Sequence, residues 1–182
     1  MLAFLPSLVF FVIAPLSVSL ALWLGFAAAF AVGIYAFGTM RTVRVFDLCG
    51  LTLFGALALY TGFMQSDFGP ADAALVLDTG FLAAILYSMA ARRPFTTEYT
   101  WLRGEHPPHV AARAHTLLTA VWASCYAIMA GICATSVVLH RLLPVWAGIL
   151  GLLVFTATLT FTWQFGTYID KRGGNVPFLG RE

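Results

Sequence analysis

The chain has 182 residues, 60% of them hydrophobic and 10% charged, with a formal net charge of +2 and a mean hydropathy of +0.88. Soluble domains carry about 25% charged residues, and a chain of this length cannot bury so much hydrocarbon in one globule, so lipid must be the solvent for most of it. The apolar runs are long and unbroken, unlike the alternating segments of about ten residues that mark a β-barrel, and they predict an all-α, polytopic transmembrane helical bundle. The small net charge is spread over the loops, which excludes a basic stripe for nucleic acid.

About 20 apolar residues cross a bilayer as helix. The first apolar segment, 3–15, lacks a basic leader and a small-residue cleavage pattern, so it reads as a retained membrane segment and not a signal peptide. It is short and has Pro6 and Pro15 near its ends. It fits a tilted span, a re-entrant piece or an interfacial helix, and the predicted span count is therefore five or six. The second and third spans fall at 18–39 and 47–64. Both are rich in small residues, among them Gly25, Ala27, Gly33, Gly50 and Gly55, which suit close helix packing or a dimer interface. Asp47 follows Arg44 by three residues and is expected to pair with it near the membrane surface. In QSDFGPAD, 65–72, Gly69-Pro70 signals a turn, and Asp72 is placed to cap the fourth span, 72–90. Asp78 is the one acid well inside a span, about 9 Å below its end at about 1.5 Å per residue. Such an acid is costly in lipid and is by default a functional candidate; hydrogen bonding to neighbouring helices is the plainer alternative.

The stretch ARRPFTTEYTWLRGEHPPHVAARAH, 91–115, holds four of the ten Lys and Arg residues, two of the eight acids and three of the four histidines. Residues 91–113 are expected to form an interfacial cytoplasmic loop. Arg92 and Arg93 end a span at an anionic leaflet, while Phe95, Tyr99 and Trp101 suit the headgroup layer. These five residues are the candidate contacts for a partner or for lipid headgroups. Thr96 or Thr97 is placed to cap a short surface helix with Glu98 or Tyr99 in its first turn. Pro107-Pro108 then redirects the chain, and Ala111 to His115 lead into the fifth span, 114–139. The short link HRLLP, 140–144, predicts antiparallel neighbours, with Pro144 in the first turn of a sixth span at 144–168. There Thr156, Thr160, Gln164 and Thr167 share a helical stripe, with Thr158 and Thr162 nearby. The stripe is expected to face other helices or to wall a polar cavity with Asp78, Ser124 or Thr119 opposite. Asp78, Thr156, Thr160 and Gln164 are thus the candidate ion or polar-cavity residues.

Alternating spans place nine of the ten basic residues on one side. That puts 91–113 and a tail, 171–182, in the cytoplasm and leaves 1–170 as a single transmembrane domain. His115 and His140 open and close the fifth span, about 37 Å apart along a helix, too far to share a haem. Glu105, His106, His109 and His115 lack the HExxH spacing of a zinc site. Cys49, Cys125 and Cys133 form no CxxC pair and read as small buried hydrophobes. No nucleophile elbow, P-loop or dinucleotide motif is found. No catalytic residue, metal or cofactor is expected.

Several short motifs fall in a telling order: FLPSLVFF at Phe4–Phe11, GLTLF at Gly50–Phe54, and Arg92-Arg93-Pro94 closing the fourth span. After them come Trp122 in the fifth span, Pro144 and Trp146 opening the sixth, and GTYI at Gly166–Ile169. In this plan, over most of 4–170, the chain resembles the bacterial inner-membrane-spanning proteins named for intracellular septation protein A. Its segment 94–109 is longer and more aromatic than that plan. The resemblance implies a small inner-membrane protein linked to septation and envelope synthesis, with no catalytic residues to carry over. The leading expectation is a non-enzymatic inner-membrane protein of cell-envelope organisation, or an accessory subunit of a larger complex. Its partners would be the lipid bilayer and a membrane protein or a second copy. The alternative is a small transporter or channel, as monomer or dimer, that uses Asp78 and the threonine-rich face.

Overall fold

A computed structural model describes residues 4–41, 44–64, 68–99, 107–138 and 144–172. It contains α1 (Leu5–Ile13), α2 (Val18–Met40), α3 (Val45–Met64), α4 (Pro70–Ala90), a 3-10 turn (Phe95–Glu98), α5 (Pro108–Val137) and α6 (Pro144–Lys171). Among the described residues there is no strand. Helices α2 to α6 are each long and apolar enough to cross a membrane, and the protein is an all-α membrane protein. α1 has nine residues, about 14 Å of helix against a hydrocarbon core of about 30 Å, so it does not span. The described residues therefore hold five helices of spanning length. The first apolar segment is a short helix folded back on α2, its Phe4 and Phe10 buried in the core.

The helix ends follow from the residues at them. Ser17 is extended and its hydroxyl accepts from the Leu20 N–H at 3.3 Å, which starts α2. α4 begins two residues before the expected start at 72. Pro70 supplies its first turn, and Asp72 caps backwards, its Oδ2 accepting from the Gly69 N–H at 3.0 Å. α4 ends in a Schellman motif: the Arg92 N–H donates to Met89 O and the Arg93 N–H to Ser88 O, both at 3.0 Å. The left-handed position that usually takes glycine is filled by Arg92, at φ 55°. α5 begins at Pro108 and not at about 114, because the proline sits in the first turn and residues 108–113 continue as helix. The charges there do not mark the helix boundary. α5 and α6, with 30 and 28 residues, are about 45 and 42 Å long and outreach the hydrocarbon. Their projecting ends pack on each other through Val110, Ala114, Leu118, Phe165 and Ile169.

The turns between α2 and α3 and between α4 and α5 lie at one end of the bundle, with the end of α6. Residues 92–99 cross this end as a strap, and we call it the strap end. All described Lys and Arg residues lie there: Arg41, Arg44, Arg92, Arg93, Arg113, Lys171 and Arg172. The opposite, far end holds the starts of α2, α4 and α6.

Lipid tails are as apolar as leucine, so shape and dispersion hold such a bundle together, not water exclusion. Close approach is secured at α3. A Cβ on Gly25 would come within 2.7 Å of the buried Phe54 ring, one on Gly55 within 2.9 Å of Phe26, and one on Gly80 within 2.7 Å of Leu53. The middle of the bundle is aromatic. Phe4 stacks on Trp122 at 4.2 Å, and Phe46 stacks on Phe81 at 4.8 Å and on Phe95 at 5.0 Å. Tyr126 lies 5.3 Å from Phe81.

Candidate functional site

Asp78 lies two turns into α4 and is 3% exposed. Its hydrogen-bond partner among the described residues is the Cys133 thiol of α5, with Sγ 3.8 Å from Oδ2. A thiol is a weak donor. Asp78 lines a cavity of about 310 Å³ at the far end, together with Phe10, Phe11, Ala74, Cys133, Ala147 and Gly151. Its rim includes the exposed Pro15 and Val145, so the space opens at the bundle surface between α1, α4 and α6. Small residues make the room: a Cβ on Gly148 would meet nothing within 4 Å, and one on Gly151 would meet only Phe11, at 3.6 Å. Towards the core the carboxyl borders a smaller void shared with Ser7, Phe54 and Phe81. Beyond lies the Tyr126 hydroxyl, buried with no hydrogen-bond acceptor in good geometry and flanked by Ser7.

The threonine stripe does not reach this site. Thr156, Thr160 and Gln164 are exposed on the outer side of α6, while Thr158 and Thr162 are buried against the bundle. Each threonine hydroxyl donates to the carbonyl four residues back, Thr156 to Leu152 at 2.8 Å and Thr160 to Thr156 at 2.8 Å. The backbone satisfies them on either face, so their polarity does not turn them inward. Of the residues set opposite them, Thr119 is buried under the strap and Ser124 is exposed. The expected polar cavity of Asp78, Thr156, Thr160 and Gln164 is thus reduced to Asp78.

The described part of the strap packs as a plug. Phe95 is 2% and Tyr99 6% exposed, which removes both from the candidate headgroup contacts. Phe95 stacks on Phe46, and Tyr99 packs edge-on against Phe95 at 6.2 Å. The energetic reason is the same as for any core aromatic: both rings find dense apolar neighbours, and the Tyr99 hydroxyl finds a polar partner. The Tyr99 hydroxyl donates to Asp47 Oδ1 at 3.0 Å, and the Arg44 guanidinium lies 4.4 Å over the Tyr99 ring. Asp47 therefore reaches across to the strap instead of forming only a local pair with Arg44. Burial, then the Asp47 charge, pushes the Tyr99 phenol well above its usual range. Glu98 Oε2 accepts from the Val45 N–H at 3.0 Å, capping α3 from another segment. Thr96 is fully buried, where its hydroxyl lies 2.9 Å from His115 O and 2.9 Å from Thr119 Oγ1. Neither Thr96 nor Thr97 caps the 3-10 turn, whose preceding residue is Pro94. Arg92 and Arg93 are exposed beside an open groove with Thr97 and Thr116. Trp101 lies outside the described residues, as do Arg103, Glu105, His106, His140 and Arg141.

Sequence reading found Asp78 but not its surroundings. Cys133 is 55 residues away, and Phe10 and Phe11 come from a helix too short to span; no local pattern joins them. Among the described residues, no three of His, Cys, Asp and Glu come together as a metal site. No family model matches the chain, and no curated protein or solved structure matches it significantly.

Proposed function

We propose that the protein is a small transporter- or channel-like membrane protein in which Asp78 is the ion-handling residue. One observation carries this reading: a carboxyl whose hydrogen-bond partner among the described residues is one thiol, at 3.8 Å, lines a cavity of about 310 Å³ that opens to the bundle surface. A buried acid kept for packing alone would be closed off by donors from neighbouring helices. The strap end lies on the cytoplasmic side of a bacterial inner membrane in this reading. The gathering of the described basic residues at that end supports the orientation, and the cavity then opens on the outer side.

The accessory-subunit reading in envelope organisation draws on the sequence resemblance. The burial of Phe95 and Tyr99 takes away half of the contact residues it would use among Arg92, Arg93, Phe95 and Tyr99. The transporter reading is tested by reconstitution into liposomes loaded with a pH-sensitive dye, with proton and monovalent-cation flux measured for wild type and Asp78→Asn. Flux that falls at least tenfold in the variant, with unchanged insertion and monodispersity, is the expected result. Undiminished flux in Asp78→Asn, or none in the wild type, sinks it.

A further inference from the structure

We propose that the Asp78 cavity binds a cationic amphiphile: a protonated amine on a compact hydrocarbon body, entering from the lipid between α1 and α6. This rests on the reading of the cavity as the functional site and names its ligand class.

Three features point the same way. Among the described residues the lining is hydrocarbon except for Asp78 and Cys133, so the body of the ligand is apolar. Among the described lining residues the acid has no cation near it. An ionised carboxylate in low dielectric is stable only beside a countercharge, so a ligand that brings a positive charge is favoured over a neutral or anionic one. Phe10 and Phe11 line the same space, with ring centroids 5.9 Å apart and nearly perpendicular. An aromatic ring beside a carboxylate suits an ammonium, because the ring quadrupole can add to the ion pair. Size narrows the class further. The cavity is at the small end of ligand pockets, which run from about 300 to 1,000 Å³. That room suits a short alkyl or arylalkyl amine.

Entry from the lipid side follows from the rim. Among the described residues, Pro15 and Val145 at the rim are exposed and apolar, which suits the entry of a hydrocarbon body.

Cys133 supplies the reporter, since it lines the cavity beside Asp78. In a Cys49→Ala, Cys125→Ala background, the full chain in nanodiscs is labelled with N-ethylmaleimide while octylamine, octanol or sodium octanoate is titrated. Octylamine is expected to slow Cys133 labelling at least tenfold at saturation. Octanol and octanoate at the same concentrations are expected to slow it less than twofold. Asp78→Asn is expected to raise the protecting amine concentration at least tenfold. Equal protection by octanol, protection by octanoate, or octylamine protection that survives Asp78→Asn overturns the proposal. Should Cys133 prove inert to maleimide, radiolabelled octylamine bound by wild type and by Asp78→Asn decides the matter: saturable binding lost in the variant supports the site, and equal or absent binding refutes it. Gly148→Leu, which fills the cavity and leaves the acid, is expected to abolish amine protection as well. The two readings fail separately. Asp78-dependent flux without amine binding retires the ligand class alone, and amine binding without Asp78-dependent flux retires transport and leaves a binding site.

Discussion

Replacing Tyr99 by Phe tests whether the strap is latched to α3. Tyr99 and Asp47 are both buried, and the phenol donates to Asp47 Oδ1 at 3.0 Å. The other carboxylate oxygen, Oδ2, is buried with no hydrogen-bond partner. Phe keeps the ring, its edge contact with Phe95 and its face towards Arg44, so the change isolates one hydroxyl. A hydrogen bond to a charged group contributes about 1.5–3 kcal/mol, and losing it leaves the acceptor unsatisfied. The carboxylate already lacks one partner, so about 2 kcal/mol is expected, roughly a 30-fold shift in the unfolding equilibrium. Equilibrium unfolding in mixed micelles, followed by tryptophan fluorescence, measures it. The double-mutant cycle with Asp47→Ala should return a coupling of about 1–2 kcal/mol. A Tyr99→Phe effect below about 0.5 kcal/mol with no coupling would mean that water or a flexible strap already satisfies Asp47, and the plug would not be latched.

Three further outcomes follow from the same geometry. Gly25→Ala places a methyl 2.7 Å from the enclosed Phe54 ring and should cost about 1–3 kcal/mol by overpacking; Phe54→Leu should recover part of that loss in the double variant, as read by thermal unfolding in detergent. Glu98→Ala removes the cap on the Val45 N–H and should cost about 0.5–1 kcal/mol, with faster hydrogen exchange at the first turn of α3 as the local readout. High pH provides a sign test. The Tyr99 phenol has its folded-state pKa raised, so its contribution is complete below the unfolded value of about 10 and is lost as pH rises above it. Wild type should lose more stability above that pH than Tyr99→Phe, and parallel pH profiles would contradict the burial of the phenol.

Spans were legible because lipid leaves the chain little choice: a run of about 20 apolar residues must close its own backbone hydrogen bonds as helix. α1 fell short of that length, and length alone decided its fate. Side-chain facing was less legible. Thr156 and Thr158 have the same chemistry and the same backward hydrogen bond, yet one faces outward and the other is buried. A threonine that is satisfied by its own helix carries no information about which way it points. Tyr99 posed a related ambiguity, since an aromatic with a polar handle suits the headgroup layer and a core polar contact equally. What settled it was Asp47, 52 residues away, a pairing that no local pattern announces. Asp78 was legible for the opposite reason: an acid in the middle of an apolar run has no cheap explanation.

The two ends of the bundle are unlike, and the difference bears on mechanism. At the far end, a cavity walled among the described residues by small residues and hydrocarbon leads to Asp78. At the strap end, the route from Asp78 is filled by the stacked rings of Phe81, Phe46 and Phe95, with Tyr126 beside them. The Tyr99–Asp47 contact and the Glu98 cap hold that plug in place. Binding at Asp78 needs none of these contacts to break. Passage across the membrane needs the strap to leave α3 and the aromatic column to part, so it carries the cost of the latch in its barrier. Weakening the latch therefore separates the two activities. If the protein translocates its ligand, Tyr99→Phe speeds flux while leaving amine protection of Cys133 unchanged. If it only binds, the same substitution changes stability and nothing else.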